Sequence, residues 1–171
     1  MRTEISSNRG FSMIEVMVTI VVVAFGLLGL ASLVLRGLQA GADSQFRTIA
    51  IKQTYDMADR MRGNPVDAKS DKYDGILPSG SPSCSTLLTA IKGGGIPVVT
   101  TSSTTPPSCS GTGVAFDSSC WQRANMTELP MGAGAVCKDK TANSNWYAII
   151  VSWDENRSGA ANKSFWITFE P

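Results

Sequence analysis

The sequence predicts an α+β protein in which a long N-terminal helix packs on a C-terminal antiparallel β-sheet. Three observations predict this class. An uncharged apolar run extends from Val16 to Leu35. Apolar residues spaced three and four apart follow it as far as Met61. Runs of β-branched and aromatic residues, separated by turn-forming residues, occupy the chain from Ala133 onward.

The apolar run has the length and composition of a membrane-spanning helix. Its only hydroxyl groups between Val16 and Leu35 belong to Thr19 and Ser32, and none of its residues is charged. About 20 residues at about 1.5 Å each span about 30 Å, which is the hydrocarbon thickness of a bilayer. The sequence therefore predicts one transmembrane helix with the carboxylate of Glu15 at its N-terminal end.

The charges around this run predict its orientation. The segment Met1–Gly10 carries Arg2 and Arg9 against Glu4. The positive-inside rule places such a segment in the cytoplasm and everything after Arg36 on the other side of the membrane.

The helix is predicted to continue beyond the membrane as an amphipathic segment. Polar and charged residues separate apolar positions at spacings of three and four, which are Leu38, Ala42, Phe46, Ile49, Ala50, Met57 and Met61. Gly63, Asn64 and Pro65 then predict that the helix ends at about Arg62. We expect the apolar side of this half to pack on a soluble domain.

The middle of the chain predicts irregular structure. From Val66 to about Ser119 it is rich in Ser, Thr, Gly and Pro, with a short helix predicted at Ser83–Lys92. So long an irregular segment is either pinned by disulfides or mobile. The glycines at 93–95 are not followed by Gly-Lys-Ser/Thr, which excludes a phosphate-binding loop.

Three strands are predicted at the end of the chain, at Ala133–Cys137, Trp146–Trp153 and Ser164–Phe169. An antiparallel meander is their simplest connection. In the second strand, even-numbered residues would face one way and odd-numbered residues, Tyr147 to Trp153, the other. We expect one of these faces to pack on the amphipathic half of the helix.

The four cysteines predict two disulfides outside the cytoplasm. Cys84, Cys109, Cys120 and Cys137 all follow the membrane segment, and none forms a C-x-x-C pair. Three connectivities are possible. Pairing of sequence neighbours, 84 with 109 and 120 with 137, gives the shortest loops, each stabilising by roughly 3 kcal/mol on the chain-entropy model. A four-thiolate zinc site is the competitor, but its usual close-spaced pairs are missing.

Composition excludes several classes of function. The formal net charge is +1 with scattered basic residues, so nothing indicates a nucleic-acid partner. The absence of histidine removes the commonest general base and most transition-metal sites. No carboxylate pair or activated nucleophile stands out. The sequence therefore predicts a protein that is not an enzyme and that needs no cofactor or metal.

Two features have alternative interpretations. The oxygen-rich segment Asp154–Gly159 could hold calcium, although its turn chemistry favours a solvated hairpin. Trp121, Trp146, Trp153 and Trp166 form either a sugar-binding surface or part of the core, and tryptophans at strand positions favour the core. Exposure of these rings would support a tip adhesin or carbohydrate-binding module, and their burial would argue against it.

The residues from Arg9 to Val16 carry a family resemblance. A short basic leader ending in Gly10, then Phe11, an apolar stretch and Glu15 at the fifth place after the glycine resembles the class III signal of type IV pilins and type II secretion pseudopilins. In that family a membrane peptidase cuts after the glycine and methylates the new amino terminus. The resemblance implies cleavage between Gly10 and Phe11, N-methylation of Phe11 and a type IV pilin-like fold.

The resemblance also gives Glu15 a role. A charged group in a membrane helix costs roughly 2.5 to 3.5 kcal/mol at the helix centre, less near an end, and usually finds a polar partner. In this family the partner is thought to be the freed amino group of a neighbouring subunit. Phe11 would supply that group, and the ion pair would set the register of one helix against the next. The alternative is a plain signal anchor with Glu15 near the headgroups.

Weaker motifs indicate a subfamily. The segments Tyr55–Arg62, Glu128–Gly134 and Trp146–Asp154 resemble the PilV type of minor pilin, also called a type IV pilus modification protein. Major pilins close their final strand region with a cysteine pair close to the C-terminus, and nothing after Cys137 can do so here. This departure argues against the major subunit.

The resemblance implies a minor pilin that primes assembly of a type IV pilus and joins it, supporting pilus biogenesis, twitching motility and adhesion. The expected partners are the prepilin peptidase, other minor pilins, the major pilin and the inner-membrane assembly platform, with a tip adhesin as a further candidate. The expected location is the inner membrane, with the C-terminal domain periplasmic, and then the extracellular pilus. The alternatives are a type II secretion minor pseudopilin and a tip adhesin or binding module.

Five segments follow from these predictions. They are a cleaved cytoplasmic leader (1–10), a transmembrane or filament-core helix (11–36), its amphipathic continuation (37–63), a disulfide-pinned, loop-rich connection (64–127) and an antiparallel β-sheet region (128–171).

Overall fold

The computed structural model describes residues 10–141, 144–156 and 158–171. The elements within these ranges are, in chain order, α1 (Met13–Gly63), α2 (Pro65–Lys69), α3 (Cys84–Lys92), α4 (Val114–Glu128), β1 (Ala133–Lys138), β2 (Tyr147–Trp153) and β3 (Lys163–Phe169). The long N-terminal helix and the C-terminal antiparallel sheet confirm the predicted α+β class. Of the predicted leader, only Gly10 lies within the described residues. The chain forms two compact units that divide between Ala42 and Asp43.

The first unit is helical from Met13 and leaves its apolar side chains uncovered. Every described residue up to Gly41 is exposed in the isolated chain, including Phe25 and Leu33. By length and composition α1 could cross a membrane. Because so much apolar surface is unfavourable in water, its cover must come from lipid or from other helices.

In the second unit, α1 buries one face against the part of the chain that follows it, residues 64–171, which is called the head below. The buried positions recur at spacings of three and four, as predicted for an amphipathic helix, and are Ala50, Gln53, Thr54, Met57, Ala58 and Met61. The helix ends at Gly63, close to the predicted stop. The amide of Asn64 still donates to the carbonyl of Arg60, at 3.1 Å, before Pro65 opens α2.

The sheet is the predicted antiparallel meander, in the order β1-β2-β3. Ala133 pairs with Ser152 at one end of the β1–β2 ladder. In the β2–β3 ladder, Tyr147 pairs with Phe169 and Trp153 with Lys163. The central strand β2 is buried along its whole length. The strand predictions are confirmed to within one residue at each end.

The two faces of β2 belong to two different cores. Tyr147, Ile149, Val151 and Trp153 pack with residues of α1 and with Trp121 of α4. The even-numbered residues Ala148 and Ile150 pack with Leu87 and Leu88 of α3 and with Val99. The predicted alternation is confirmed. The structure adds cover on the second face, where the amide of Val99 donates to the Ser152 hydroxyl at 2.8 Å.

Helix α4 lies where the sequence predicts irregular chain. Its apolar side chains do not form a stripe, because only Trp121 and Asn125 are buried. Gly113 before it provides no capping side chain. Its support is tertiary: the indole Nε1 of Trp121 donates to the carbonyl of Gln53 on α1 at 2.7 Å. Helices of this kind depend on packing more than on local propensity, so local patterns do not predict them.

The disulfides join Cys84 to Cys137 and Cys109 to Cys120, with Cα–Cα distances of 5.3 and 4.5 Å. The predicted pairing of sequence neighbours was wrong. Since α3 packs on β1, the first residue of α3 lies beside Cys137, far away in sequence but close in space. This longer loop corresponds to about 4 kcal/mol on the chain-entropy model. The described cysteines include no free thiol, so the alternative of a four-thiolate zinc site is not formed.

A tryptic map under non-reducing conditions checks this pairing. Cleavage after Lys72, Lys92, Arg123 and Lys138 gives peptides 73–92, 93–123 and 124–138. We expect 73–92 to be linked to 124–138, because they carry Cys84 and Cys137, and 93–123 to hold an internal disulfide. Pairing of sequence neighbours would instead link all three peptides in one species, which mass spectrometry distinguishes directly.

The contact between β1 and α4 gives a stability prediction. A Cβ at Gly134 would overlap the ring of Trp121, so Gly134→Ala is expected to destabilise the protein by about 1–3 kcal/mol. At Gly63 a Cβ meets nothing within 4 Å, so Gly63→Ala is the control and is expected to be neutral or to stabilise by up to about 1 kcal/mol. Thermal unfolding of the detergent-solubilised full chain measures both. Equal melting temperatures for the two variants would contradict the packing of α4 on β1.

Candidate functional site

The residues of the predicted cleavage site stand just before α1 and are open to solvent. Gly10 and Phe11 are exposed, and the Phe11 side chain is 81% accessible. The carbonyl of Ser12 accepts from the amides of Glu15, at 3.0 Å, and Val16, at 3.4 Å, which closes the first turn of the helix. A protease that needs a non-helical segment before a helix would find one at residues 10–12.

The glycine at position 10 is not required by the fold of this chain. A Cβ built there meets nothing within 4 Å, and its backbone is not in the left-handed region. The usual internal reasons for a glycine, close approach and positive φ, are therefore both missing. A requirement for glycine at this position must come from a molecule that binds the segment.

Glu15 lies in the first turn of α1, where the partial positive charge of the helix N-terminus favours a carboxylate. It is exposed and forms no ion pair with any described residue. Nearby, the Thr19 hydroxyl donates to the Val16 carbonyl at 2.8 Å. Glu15 is the only charged side chain in the sequence between Gly10 and Leu35.

Comparison with known proteins identifies a known motif in the same segment. Residues 5–31 match the family model of the prokaryotic N-terminal methylation motif. No curated protein and no solved structure matches the chain. The matched motif supports a type IV pilin-like protein. It also supports processing by prepilin peptidase, and together with the apolar helix it supports membrane anchoring and a place in the pilus.

Four side chains fasten the end of α1 to the first turn of α4. One carboxylate oxygen of Asp117 accepts from the Tyr73 hydroxyl at 2.6 Å and from Asn64 Nδ2 at 3.1 Å. The other lies 3.4 Å from Arg60. Burial and the hydrogen bond to Asp117 raise the pKa of Tyr73 to about 12. The network fixes the head relative to the amphipathic end of its own helix.

A second polar cluster lies where α3 meets the end of β1. The ammonium of Lys92 donates to Asp139 at 2.8 Å, and the Thr141 hydroxyl donates to its other oxygen at 2.8 Å. The hydrogen bond from Lys92 holds the pKa of the Asp139 carboxyl well below its usual range. Every strong partner of this buried carboxylate is internal, so the cluster stabilises the head.

In the loop between β2 and β3, the carboxylate of Asp154 caps a turn. Asp154 is buried, and it accepts from the amides of Gly159, at 2.7 Å, and Asn156, at 3.1 Å. The side chains of Ser158 and Asn162 donate to it as well, each at 3.3 Å. With these oxygens occupied by donors, the arrangement favours the hairpin interpretation over a calcium site. No group of three metal-ligating side chains occurs among the described residues.

The tryptophans do not form one exposed surface. Trp121 is fully buried and Trp153 is 4% accessible, and both belong to the core shared with α1. Trp146 and Trp166 are partly buried against the opposite core. Because the four rings are divided between two faces of the sheet, they argue against the carbohydrate-binding alternative.

Sequence reasoning found the segment Gly10–Glu15 and missed the polar side chains that organise the head. Asp117 and Tyr73 are 44 positions apart, and Gln53 donates to Glu128 across 75 positions. No spacing rule connects residues at such separations. The local sequence does not mark them, because Tyr73 stands between Lys72 and Asp74 and Gln53 between Lys52 and Thr54.

The loop cap predicts a pH-dependent contribution to stability. Burial alone would raise the pKa of Asp154, but hydrogen bonds from Gly159, Ser158 and Asn156 leave it below its ordinary value of 3.8. A lowered pKa in the folded state contributes stability above pH 3.8 that is lost as the pH falls through the folded value. Asp154→Asn is therefore expected to lower the melting temperature most at pH 7, with the gap to the wild type closing in acid.

The matched control is Asp59→Asn, because Asp59 is exposed and contacts only Arg62 in a surface ion pair. We expect this variant to melt like the wild type at every pH. A gap for Asp154→Asn that stays constant between pH 7 and pH 3 would contradict the role of the ionised carboxylate.

Proposed function

We propose that the protein is a minor pilin of a type IV pilus, of the PilV type. Prepilin peptidase cuts it between Gly10 and Phe11 and N-methylates Phe11, after which it joins other minor pilins to prime the filament. The observation that carries the proposal is the match of residues 5–31 to the methylation motif. Within the chain, its Gly10 is not required by the fold and its Glu15 has no cation partner among the described residues.

The ion pair of Glu15 explains how a subunit would find its register. A charge in the membrane helix costs roughly 2.5 to 3.5 kcal/mol at its centre. The Coulomb attraction to an opposite charge at 4 Å contributes about 4 kcal/mol at an effective dielectric constant of 20. The pair therefore roughly offsets the cost only when the amino group of a neighbouring Phe11 is close, which favours one axial offset between helices.

Lateral packing of the apolar helices supplies the rest of the association. Lipid tails are as apolar as leucine, so close packing, more than the hydrophobic effect, drives helices together in a bilayer. Gly26 and Gly29 leave open space around their Cβ positions within this chain, which permits close approach of a second helix. Once a filament leaves the membrane, neighbouring helices must cover the whole apolar surface.

The proposed topology has the leader in the cytoplasm and the head in the periplasm before assembly. Arg2 and Arg9 favour the cytoplasm for the leader. The disulfides of the head suit an oxidising compartment. The proposed partners are the peptidase, the inner-membrane assembly platform, the other minor pilins and the major pilin, with a tip adhesin as a further candidate.

The choice of the PilV type rests on the three segments of the head that resemble it. The structure gives two of them internal functions. Arg60 of the first bonds Asp117 of α4, and Gly134 of the second makes room for the Trp121 ring. Both of these segments therefore contact α4. On the basis of this resemblance, we propose that the protein supports piliation, twitching motility and adhesion.

A type II secretion minor pseudopilin is the second candidate, because every N-terminal residue discussed above is common to both systems. Deletion of the gene separates them. We expect loss of surface pili and twitching with normal protein secretion. The opposite pattern, normal pili with blocked secretion, would transfer the assignment to the secretion filament.

Processing is the direct test of the proposal. Protein purified from membranes of peptidase-positive cells is expected to begin at N-methylated Phe11, and protein from peptidase-deficient cells at Met1. Intact mass and N-terminal sequencing measure this. An intact leader in both strains would leave Glu15 without its proposed partner and would favour an anchored binding module.

Glu15→Gln separates processing from assembly. The variant keeps the shape of the side chain but removes its charge, so we expect normal cleavage and a reduction of at least about tenfold in incorporation into sheared pili. Asp59→Asn, which removes an exposed carboxylate from the amphipathic half of α1, is the control and is expected to assemble normally. Normal incorporation of Glu15→Gln would refute the registration role.

A further inference from the structure

One long segment of the head has no charged residue. Residues 93–116 contain no Asp, Glu, Lys or Arg, although 17% of the whole chain is charged. Residues 102–106 and 108–113 of this segment are nevertheless exposed. Exposed surface is normally kept hydrated by charges of both signs. Here seven of the nine residues 100–108 are Ser or Thr, so hydroxyl groups take the place of charges.

The hydroxyl-rich part of this segment is fixed to the head at both ends. At its start, the Ser102 amide donates to the carbonyl of Ser79 at 2.9 Å, and the Ser102 hydroxyl donates to the same carbonyl at 3.1 Å. At its other end, a disulfide joins Cys109 to Cys120 of α4. A group attached between these two points would extend into solvent and would not disturb the core.

The hydroxyl groups between these two points are of two kinds. The Ser103 hydroxyl belongs to the loop itself, because it donates to the Thr105 carbonyl at 2.9 Å. The side chains of Thr104, Thr105 and Ser108 are different. All three residues are exposed, and their hydroxyls form no hydrogen bond with any described residue. These three hydroxyls are therefore available to another molecule, and the fold does not account for them.

Pro106 and Pro107 lie between these hydroxyls and keep the segment irregular. Proline lacks an amide N–H and disfavours helical conformation at the residue before it. Residues 95–110 accordingly form neither helix nor strand. An enzyme that modifies a side chain can bind such a segment without first unfolding a helix or a sheet. Sequences rich in Ser and Thr with proline among them are the composition of O-glycosylated segments.

The compartment of the segment indicates the class of sugar donor. The segment follows the apolar helix and includes a disulfide, so in the proposed topology it lies in the periplasm. A donor that serves this side of the membrane must carry its glycan across the bilayer, which a lipid carrier does and a soluble nucleotide sugar does not. The donor class that fits is a glycan linked to a lipid pyrophosphate.

We propose that Thr104, Thr105 and Ser108 are acceptor sites for O-linked glycans. In each transfer the side-chain oxygen forms a bond to the anomeric carbon of the glycan, and the bond from that carbon to the lipid pyrophosphate breaks. The hydroxyl proton passes to a base of the membrane glycosyltransferase, and the lipid pyrophosphate leaves. The attached sugars hydrate a surface that has no charges of its own. This inference rests on the proposed function only for the compartment of the head.

Mass spectrometry of the full chain, purified from membranes and pili of its own cells, tests the proposal. We expect an intact mass above that of the unmodified chain, with the whole excess in the reduced tryptic peptide 93–123. Alkaline β-elimination should remove the excess, and electron-transfer fragmentation should place it on Thr104, Thr105 and Ser108. An unmodified peptide, an excess confined to other residues, or an increment equal to phosphate would overturn the proposal.

Substitution of the acceptors is the second test. The triple variant Thr104→Val, Thr105→Val, Ser108→Ala is expected to lose the whole excess mass. Thr112→Val is the matched control, because Thr112 is exposed on the same tryptic peptide but lies between two glycines, away from the prolines. We expect this control to keep the whole excess. A triple variant that keeps it, or a control that loses it, would contradict the assignment.

Melting temperatures separate a modification site from a structural role. The three hydroxyls bond nothing in the described chain, so the triple variant is expected to melt like the wild-type chain when both are produced in cells without lipid-linked glycans. Those cells are also expected to yield a wild-type chain without the excess mass. A lower melting temperature of the variant would assign the hydroxyls to the fold, and an excess that persists without the lipid-linked donor would contradict the donor class.

The same spectra distinguish failure of this inference from failure of the proposed function. A chain that begins at N-methylated Phe11 and carries an unmodified peptide 93–123 would contradict the glycan and leave the pilin assignment intact. A chain that still begins at Met1 but carries the glycan on this peptide would contradict the proposed processing and leave the acceptor sites intact.

Discussion

One helix must satisfy two environments, and the rest of the structure depends on this constraint. Up to Gly41 the side chains of α1 have no cover within the chain, whereas from Ala50 onward the same helix is buried every third or fourth residue. The head therefore anchors only the second half of α1 through its own core. The first half remains available to lipid or to other helices.

The head is built to hold that second half rigidly. Its central strand β2 is buried on both faces, between α1 with α4 on one side and α3 on the other. Trp121 joins the layers, because its ring packs against Gly134 while its N–H bonds the backbone of Gln53. Asp117 adds a polar joint at the end of α1. A force on the helix would thus reach the sheet through several independent contacts.

The sequence was sufficient wherever the signal is local. The uncharged run, the amphipathic spacing, Gly63 before Pro65, the short helix predicted at Ser83–Lys92 and the alternation of β2 each correspond to an element that the structure contains. The missed features are tertiary. Helix α4 depends on Trp121 reaching Gln53, and the Cys84–Cys137 disulfide depends on α3 packing on β1. The match at residues 5–31 likewise lies where the functional signal is local.

Residues that the fold does not explain are the ones that point to partners. The head accounts for Gly134 by close packing and for Asp154 by its loop, so neither requires a second molecule. No such account exists for Gly10, which has open space around it, or for Glu15, which has no cation among the described residues. The unpaired edge of β3 and the unsatisfied N–H of Trp153 have the same character. Because unpaired strand edges and buried polar groups without a partner are uncommon in an isolated folded chain, these are the positions at which a second molecule would complete this one.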